Sequence, residues 1–449
     1  MTARRAAIGG LGVVLLAAAA LHATPATAAG GRHDVVTWAA SADRVGDGAP
    51  DRGYRMVVHT SVGGSDLRIR LSNAFGDGPL TLDSSYVGVQ KSGAELKRGS
   101  NRRLTFGGGH TVTIPAGEVA FSDALPGSLP AATNLVVSLH TPDAAGPATG
   151  HGMAMQTSYT SQGDHTGEES AAHWTDTTGS WFYLDAATVR TSAATGAVAA
   201  LGDSITDGWQ STTDLNRRWP DYLARRLRQA ATDVRGVANE GISGNKVLAD
   251  GAGQSALNRL DRDVLSLPGV RTVFLFEGVN DIKAHTGVTA DDMIAGYRRI
   301  IERAHAAGMC VVGATVGPFK GWSEWDAAAE RVRQDVNAFV RGSGEFDAVT
   351  DVDRALRSPY DPSASCRSST TATICTPTTR GCRRWPMPST PRHSTAPTAP
   401  ETRPTRRAPG REPSPAPRIR GARSTAPGAC LTARPGGGPV VAGAGPRPR

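Results

Sequence analysis

The sequence predicts two folded units in series: an all-β domain, built as a sandwich or jelly-roll, and then an α/β domain on a doubly wound parallel sheet. Three observations carry this. Residues 33–191 hold short strand-like runs separated by Gly, Pro, Asp and Ser turns, with almost no helical periodicity. From Ala197 to about Asp353, apolar runs alternate with amphipathic helical spacing. Between the two, Ala197–Leu201 runs straight into Gly202-Asp203-Ser204-Ile205-Thr206-Asp207-Gly208, a buried strand ending in a tight turn. At 449 residues the chain exceeds one ordinary domain.

The first 28 residues read as an address. Arg4 and Arg5 precede the apolar run Ile8–Leu21, too short to span a bilayer, and Ala26-Thr27-Ala28 forms an A-x-A cleavage site. This pattern predicts an exported protein cut after Ala28. No later stretch is long and apolar enough for a membrane-spanning helix.

In the β region, Leu67-Arg68-Ile69-Arg70-Leu71 alternates apolar and charged residues as a half-buried strand does. A turn at Gly63-Gly64 predicts that it pairs with Tyr54–Ser61. Further strands are expected at Leu80–Leu82, Tyr86–Val89, Thr111–Ile114, Leu135–Leu139 and Trp181–Leu184. Trp38, Trp174 and Trp181 have two readings, as an exposed saccharide platform or as core, and core is the commoner fate of such aromatics. Ser192–Gly196 reads as the linker.

In the α/β region (residues 197–363), helices are expected at Trp219–Ala230, Ala256–Leu265, from a Thr289 cap to Gly308, and at Trp325–Val340. Strands are expected at Val234–Ala238, Thr272–Phe276, Cys310–Thr315 and Phe346–Val352. Cys310 lies inside the apolar run Met309–Val312, so it reads as a buried core thiol.

Three loops at strand carboxyl ends carry Ser204, Gly244 and Asn280, and such loops converge on one edge of the sheet. The residue types suit ester chemistry: a hydroxyl nucleophile, with the Ser204 N–H, the Gly244 N–H and the Asn280 amide as donors for a tetrahedral oxyanion. Glycine suits the second position because nothing projects between its N–H and the substrate. Each residue alone has a plainer reading, Ser204 as a helix cap and the others as turn residues.

Together the blocks resemble those of the SGNH, or GDSL-type, esterases. Gly202-Asp203-Ser204, Gly244 and Gly278-Val279-Asn280-Asp281 match that family's first three blocks in order, over about residues 197–363. The resemblance implies a flavodoxin-like sheet, Ser204 as nucleophile, and an oxyanion hole of Ser204, Gly244 and Asn280. It implies a carboxylic ester as substrate, small or borne on a polysaccharide, and no metal or organic cofactor.

The family's fourth block, Asp-x-x-His, does not appear. Composition changes abruptly at Ala364. From there to the end stand 15 Arg, no Lys, no Asp and 2 Glu, a balance of +13, so the remainder of this +8 chain carries −5. The same stretch holds 16 of the 29 prolines, and Cys366, Cys375, Cys382 and Cys430. By composition it is a disordered Pro/Arg-rich extension whose positive charge would suit nucleic acid or anionic surfaces.

A reading-frame change accounts for it better. When Ala372–Gly381 is back-translated and read one base out of register, free third bases allow D-H-L-H-P-N-D-A-G. The nine pairs of fixed bases all fit. The missing aspartate and histidine therefore belong near Ala372 to Thr376. On this reading the basic tail, its cysteines and any nucleic-acid role are artefacts of the frame. His285, His305 and His393 follow Ser204 in the chain as written, and none is assigned as the base.

Overall fold

The computed structural model describes residues 31–143, 146–230 and 232–365. The leader, His393, the Ala372–Thr376 interval and the four cysteines after Ala364 lie outside the described residues. The N-terminal part is a sandwich of two large antiparallel sheets, with a smaller one ordering Trp181–Phe182, Pro147–His151 and Asp43–Asp47 and a pair of Leu80–Leu82 with Val112–Ile114. One large sheet orders Arg32–Ala39, Leu184–Ser192, Gly64–Ser72 and Val119–Phe121. The other orders Asp176–Thr178, Ser158–Gln162, Arg52–His59, Asn134–Thr141, Ser84–Ser92 and Glu95–Leu96. The period-2 pattern explains the packing: Leu67, Ile69 and Leu71 share one buried cluster with Met56, Val58, Val137 and Leu139 of the opposite sheet.

The expected hairpin of Tyr54–Ser61 with Leu67–Leu71 does not form. Arg52–His59 pairs with Asn134–Thr141 and Ser158–Gln162, whereas Gly64–Ser72 pairs with Leu184–Ser192 in the other sheet. The link between them crosses the sandwich, and its backbone groups are satisfied on the way. Thr37 Oγ1 donates to Val62 O at 2.7 Å, and Thr60 N donates to Thr133 O at 2.9 Å. The expected strand Trp181–Leu184 is also broken. Tyr183 has φ +57°, a backbone turn that sends Trp181–Phe182 and Leu184–Ser192 into different sheets.

All three tryptophans are core, not a saccharide platform. Trp38, Trp174 and Trp181 are 4%, 3% and 1% exposed. Trp181 meets Trp38 edge-on at 4.9 Å and donates its indole N–H to Val57 O at 2.9 Å. The Arg55 guanidinium lies over Trp174 at 4.1 Å.

The second part is a parallel sheet in the order Val234–Gly241, Gly196–Gly202, Val270–Phe276, Cys310–Ala314, Ala348–Thr350. Alternate residues of each strand serve opposite helix layers, as a doubly wound sheet requires. Ala199, Val273 and Val311 pack in the cluster with Met293 and Ile300 of helix α5 (Ala290–Ala306). Val198, Phe274 and Val312 pack with Trp219 and Leu227 of α2 (Trp219–Gln229). Thr289 caps α5 in a reciprocal box with Asp292, and Asp326 caps α6 (Ala327–Gly342), which starts two residues later than periodicity predicts.

Other details depart from the sequence reading. The helix expected over Ala256–Leu265 is α3 (Ala256–Leu260) followed by a π turn, Asp261–Leu265. The last strand shortens to Ala348–Thr350, because Asp351 caps a further helix, α7 (Val352–Leu356). Cys310 is half-buried and disulfide-bonded, not a buried free thiol: it is the first residue of its strand, at the rim of the sheet.

The two parts share one core. Val35 and Val36 of the β domain sit in the same cluster as Ala197 and Val270. Val234–Gly241 is the edge strand of the parallel sheet, and the β domain covers it. Val237 N donates to Ser61 Oγ at 2.9 Å, and Ala40 bridges to Asn239. Truncation of Trp181 to Ala removes an indole at the heart of the sandwich and should cost about 3–5 kcal/mol. Urea unfolding of W181A measures it; a loss below about 1 kcal/mol would contradict this packing.

Candidate active site

Three strands end in register at one edge: Gly202 stands beside Gly241 on one side and Phe276 on the other. The loops that leave them hold Ser204, Gly244 and Asn280. Ser204 is the first residue of α1 (Ser204–Asp207), and its neighbours Ile205, Thr206 and Asp207 are buried while Ser204 itself is only partly covered. The cap of α1 is Asp203, whose carboxylate accepts from Ile205 N at 2.9 Å, so Ser204 is not needed as the cap. Among the described residues Ser204 Oγ has no hydrogen-bond partner, and neither do the backbone N–H groups of Ser204 and Gly244.

Gly244 has φ +83°, a left-handed conformation, and a Cβ there would press on Ala252 Cβ at 3.0 Å. The Asn280 amide donates one hydrogen to Asn245 O at 2.9 Å, and its second N–H has no partner among the described residues. Asn280 rides on α4 (Val279–Lys283), which Gly278 enters at φ +123°. A Cβ on Gly278 would strike Tyr297 Oη at 2.6 Å. Asp281 fastens α4 to the loop after Gly244 by accepting from Val247 N at 2.8 Å and Leu248 N at 3.0 Å. The structure therefore gathers all three predicted residues at one edge.

Three residues that sequence reasoning did not single out hold this arrangement. Arg259, fully buried on α3, donates to Gly202 O, Glu240 O, Asn245 Oδ1 and Ser41 Oγ, all within 3.0 Å. Asp207 accepts from both the N–H (2.9 Å) and the hydroxyl (2.7 Å) of Ser243, the residue before Gly244. Its other oxygen meets His151 Nε2 of the β domain at 3.0 Å. Asp207 lies within the Gly202–Gly208 stretch, but its partners stand 36 and 56 residues away, and nothing local announces them.

The electrostatics follow from burial. The Asp203 carboxyl is pushed up to about 7, chiefly by desolvation, with the nearby Asp281 charge adding to it. Burial raises Glu277 well above the ordinary carboxylate range, and its two oxygens have no hydrogen-bond partner among the described residues. Arg259 Nη2 stands 3.7 Å from it. Asp203 and Glu277 line a cleft together with Ile205, Val279, Val316 and Leu356.

The remaining histidines are engaged elsewhere. His285 Nε2 donates to Glu324 O at 2.7 Å, and His305 pairs with Asp347 at 2.8 Å at the opposite edge of the sheet. One cluster among the described residues has metal-ligand chemistry: His165, Glu168 and His173, on the β-domain loop after Ser158–Gln162. There each imidazole Nδ1 meets one Glu168 oxygen at 2.8 Å, so the carboxylate is already shared by two donors.

The model of the GDSL-like lipase/acylhydrolase family matches residues 200–381. Among solved structures, the chain is similar to a GDSL-like lipase from Bacteroides thetaiotaomicron (21% identity, 42% of this chain and 82% of that one, TM-score 0.33). It is also similar to a carbohydrate acetylesterase from Sinorhizobium meliloti (18%, 32% and 78%, TM-score 0.29). An aryl esterase from M. smegmatis gives 17% identity over 36% of this chain and 86% of that one, with a TM-score of 0.31. No curated protein matches the sequence.

The raised Asp203 has a thermodynamic consequence. Between its ordinary value of 3.8 and about 7 the folded state holds a proton that the unfolded state releases, so stability falls as pH rises through that window. D203N keeps an acceptor for Ile205 N and removes the titration. The stability difference between pH 4 and pH 8 in urea should shrink in the variant, by at most about 4 kcal/mol. An undiminished difference would show that Asp203 titrates normally.

Proposed function

Residues 200–381 belong to the GDSL-like lipase/acylhydrolase family, the family of carboxylic ester hydrolases, and from that premise we propose that this chain is built as a secreted serine esterase for acetyl or short acyl esters. The observation that carries the site assignment is the meeting of Ser204 with unsatisfied N–H groups of Ser204 and Gly244 and the pinned Asn280 amide. Ser204 Oγ attacks the ester carbonyl, and the three donors receive the developing oxyanion. The alcohol leaves with the proton, and water then releases the acyl group from Ser204. Every step uses protein groups and water.

The edge beside Ser204 also offers a binding surface. Trp209, 39% exposed, donates its backbone N–H to Ser204 O at 2.9 Å, and its ring lies 6.4 Å from that of Trp322. Lys283 stands over Trp322 at 4.1 Å. Such a rim suits a sugar or aromatic alcohol flanking the ester.

The proton acceptor is what the written chain lacks. The family match runs to residue 381, so the Ala372–Thr376 interval, where the shifted frame reads D-H-L-H, lies inside it. In that frame the histidine takes the Ser204 proton and the aspartate orients it. His285 and His305 are pinned by Glu324 and Asp347, which supports assigning neither.

Two measurements test this reading. Sequencing the gene across the codons for Asp361–Trp385 should reveal a one-base change, and the frame-restored protein should hydrolyse p-nitrophenyl acetate at least about 10³-fold faster than the written chain. S204A should abolish that turnover with the fold intact; unaltered turnover in S204A would overturn the assignment. W209A should raise KM for a sugar or aryl ester and leave kcat nearly unchanged.

A further inference from the structure

His151 lies in the β domain, on the strand Pro147–His151, yet it reaches the helix that carries Ser204. It is 5% exposed, and its ring packs against Trp181 with centroids 5.5 Å apart. Its nitrogens meet only acceptors. Nδ1 faces Ser41 O at 3.0 Å, while Nε2 faces Asp207 Oδ1 at 3.0 Å and Met153 O at 3.2 Å. A neutral imidazole has one N–H and one lone pair, so either neutral tautomer would aim a lone pair at an oxygen in a dry site. The arrangement is satisfied only when both nitrogens carry hydrogen.

Beyond His151 the chain of bonds continues to the oxyanion loop. Asp207 sits one helical turn after Ser204 and grips Ser243 by two hydrogen bonds, and the next residue is Gly244. From these contacts, and resting on the esterase reading above, we propose that His151 is a positioning residue: a buried imidazolium that, through Asp207 and Ser243, sets the Gly244 donor against the Ser204 helix.

The β domain thereby takes part in building the oxyanion hole. An imidazolium beside Asp207 aims that carboxylate through a charge-assisted hydrogen bond, and its other oxygen is held toward Ser243. It also removes His151 as a general base, because no lone pair remains. The groups that bear on its charge are few. Asp207 favours the proton and so does Ser41 O, while burial and Arg218 oppose it. Arg218 is itself paired with Asp221 at 3.0 Å. The balance raises the His151 pKa above its ordinary value, so the device is intact at acid and neutral pH and is lost as pH climbs through the raised value.

The test uses the full chain. Histidine 15N spectra should show one imidazole, absent in H151Q, that keeps both protons through pH 7 while exposed histidines have lost one. A His151 ring that is neutral at pH 7 overturns the proposal. The amide signals of Ser243 and Gly244 should follow the His151 titration; signals that ignore it overturn the link to the loop. In ester turnover, H151Q should lose about tenfold or more in kcat with KM within about twofold. Unchanged kcat in folded H151Q refutes the positioning role, which a purely structural histidine would not have. If H151Q fails to fold, S243A takes its place: it removes the hydroxyl bond of the two that join Ser243 to Asp207 and leaves the buried pair intact, so kcat should fall by a smaller factor, and an unchanged kcat there refutes the positioning role. A chain without any turnover, frame-restored included, counts against the esterase reading, and the spectra still decide the state of His151.

Discussion

A guanidinium without water must place its N–H groups on protein acceptors, and Arg259 meets that demand by drawing four separate pieces of chain to itself. Gly202 O ends the strand before Ser204, Glu240 O lies near the end of its neighbour, Asn245 Oδ1 belongs to the loop after Gly244, and Ser41 Oγ comes from the β domain. Asp263 stands 3.3 Å away and Glu277 3.7 Å away. Around it lie further ion pairs, buried Arg70 with Asp185 at 2.8 Å and half-buried Arg262 with Asp263 at 2.6 Å. Removing one partner from such a set leaves a buried charge uncompensated, at a cost of about 3–5 kcal/mol, so the network fixes geometry more than it adds net stability. The edge at which Ser204, Gly244 and Asn280 meet depends on it.

Much of the α/β domain was legible because its signals are local. Ala197–Leu201, Thr272–Phe276 and Cys310–Thr315 are apolar runs that only a doubly covered strand buries, and the α5 spacing of Met293, Tyr297, Ile300 and Ala304 is a helical face by itself. Ser204, Gly244 and Asn280 were legible for a topological reason: parallel strands deliver their carboxyl ends to one edge whatever the loops contain.

The rest was hidden because it is non-local. Which strand pairs with Gly64–Ser72 depends on a crossing near Thr60 that no turn motif encodes. The tryptophans of the β domain have the same local sequence whether they face solvent or Trp38 faces Trp181. Arg70 reads as the polar face of an amphipathic strand, yet it is buried, because that face meets Ser266 of the second domain at 3.1 Å. His151 and Arg259 are ordinary residues in the sequence; only the joining of two domains gives them work. The break in composition at Ala364 was visible for the opposite reason, since periodicity and charge balance are lost there together, within the sequence itself.

The covering of Val234–Gly241 by the β domain bears on how such a molecule can be taken apart. A fragment starting at Gly196 would keep Ser204, Gly244 and Asn280, but it would bare a strand edge ready to recruit another chain and would leave Arg259 short of Ser41. The site is thus indivisible in an evolutionary sense. Shuffling of the second half into another gene succeeds only if the new neighbour brings its own cap for that strand and its own acceptor for that arginine.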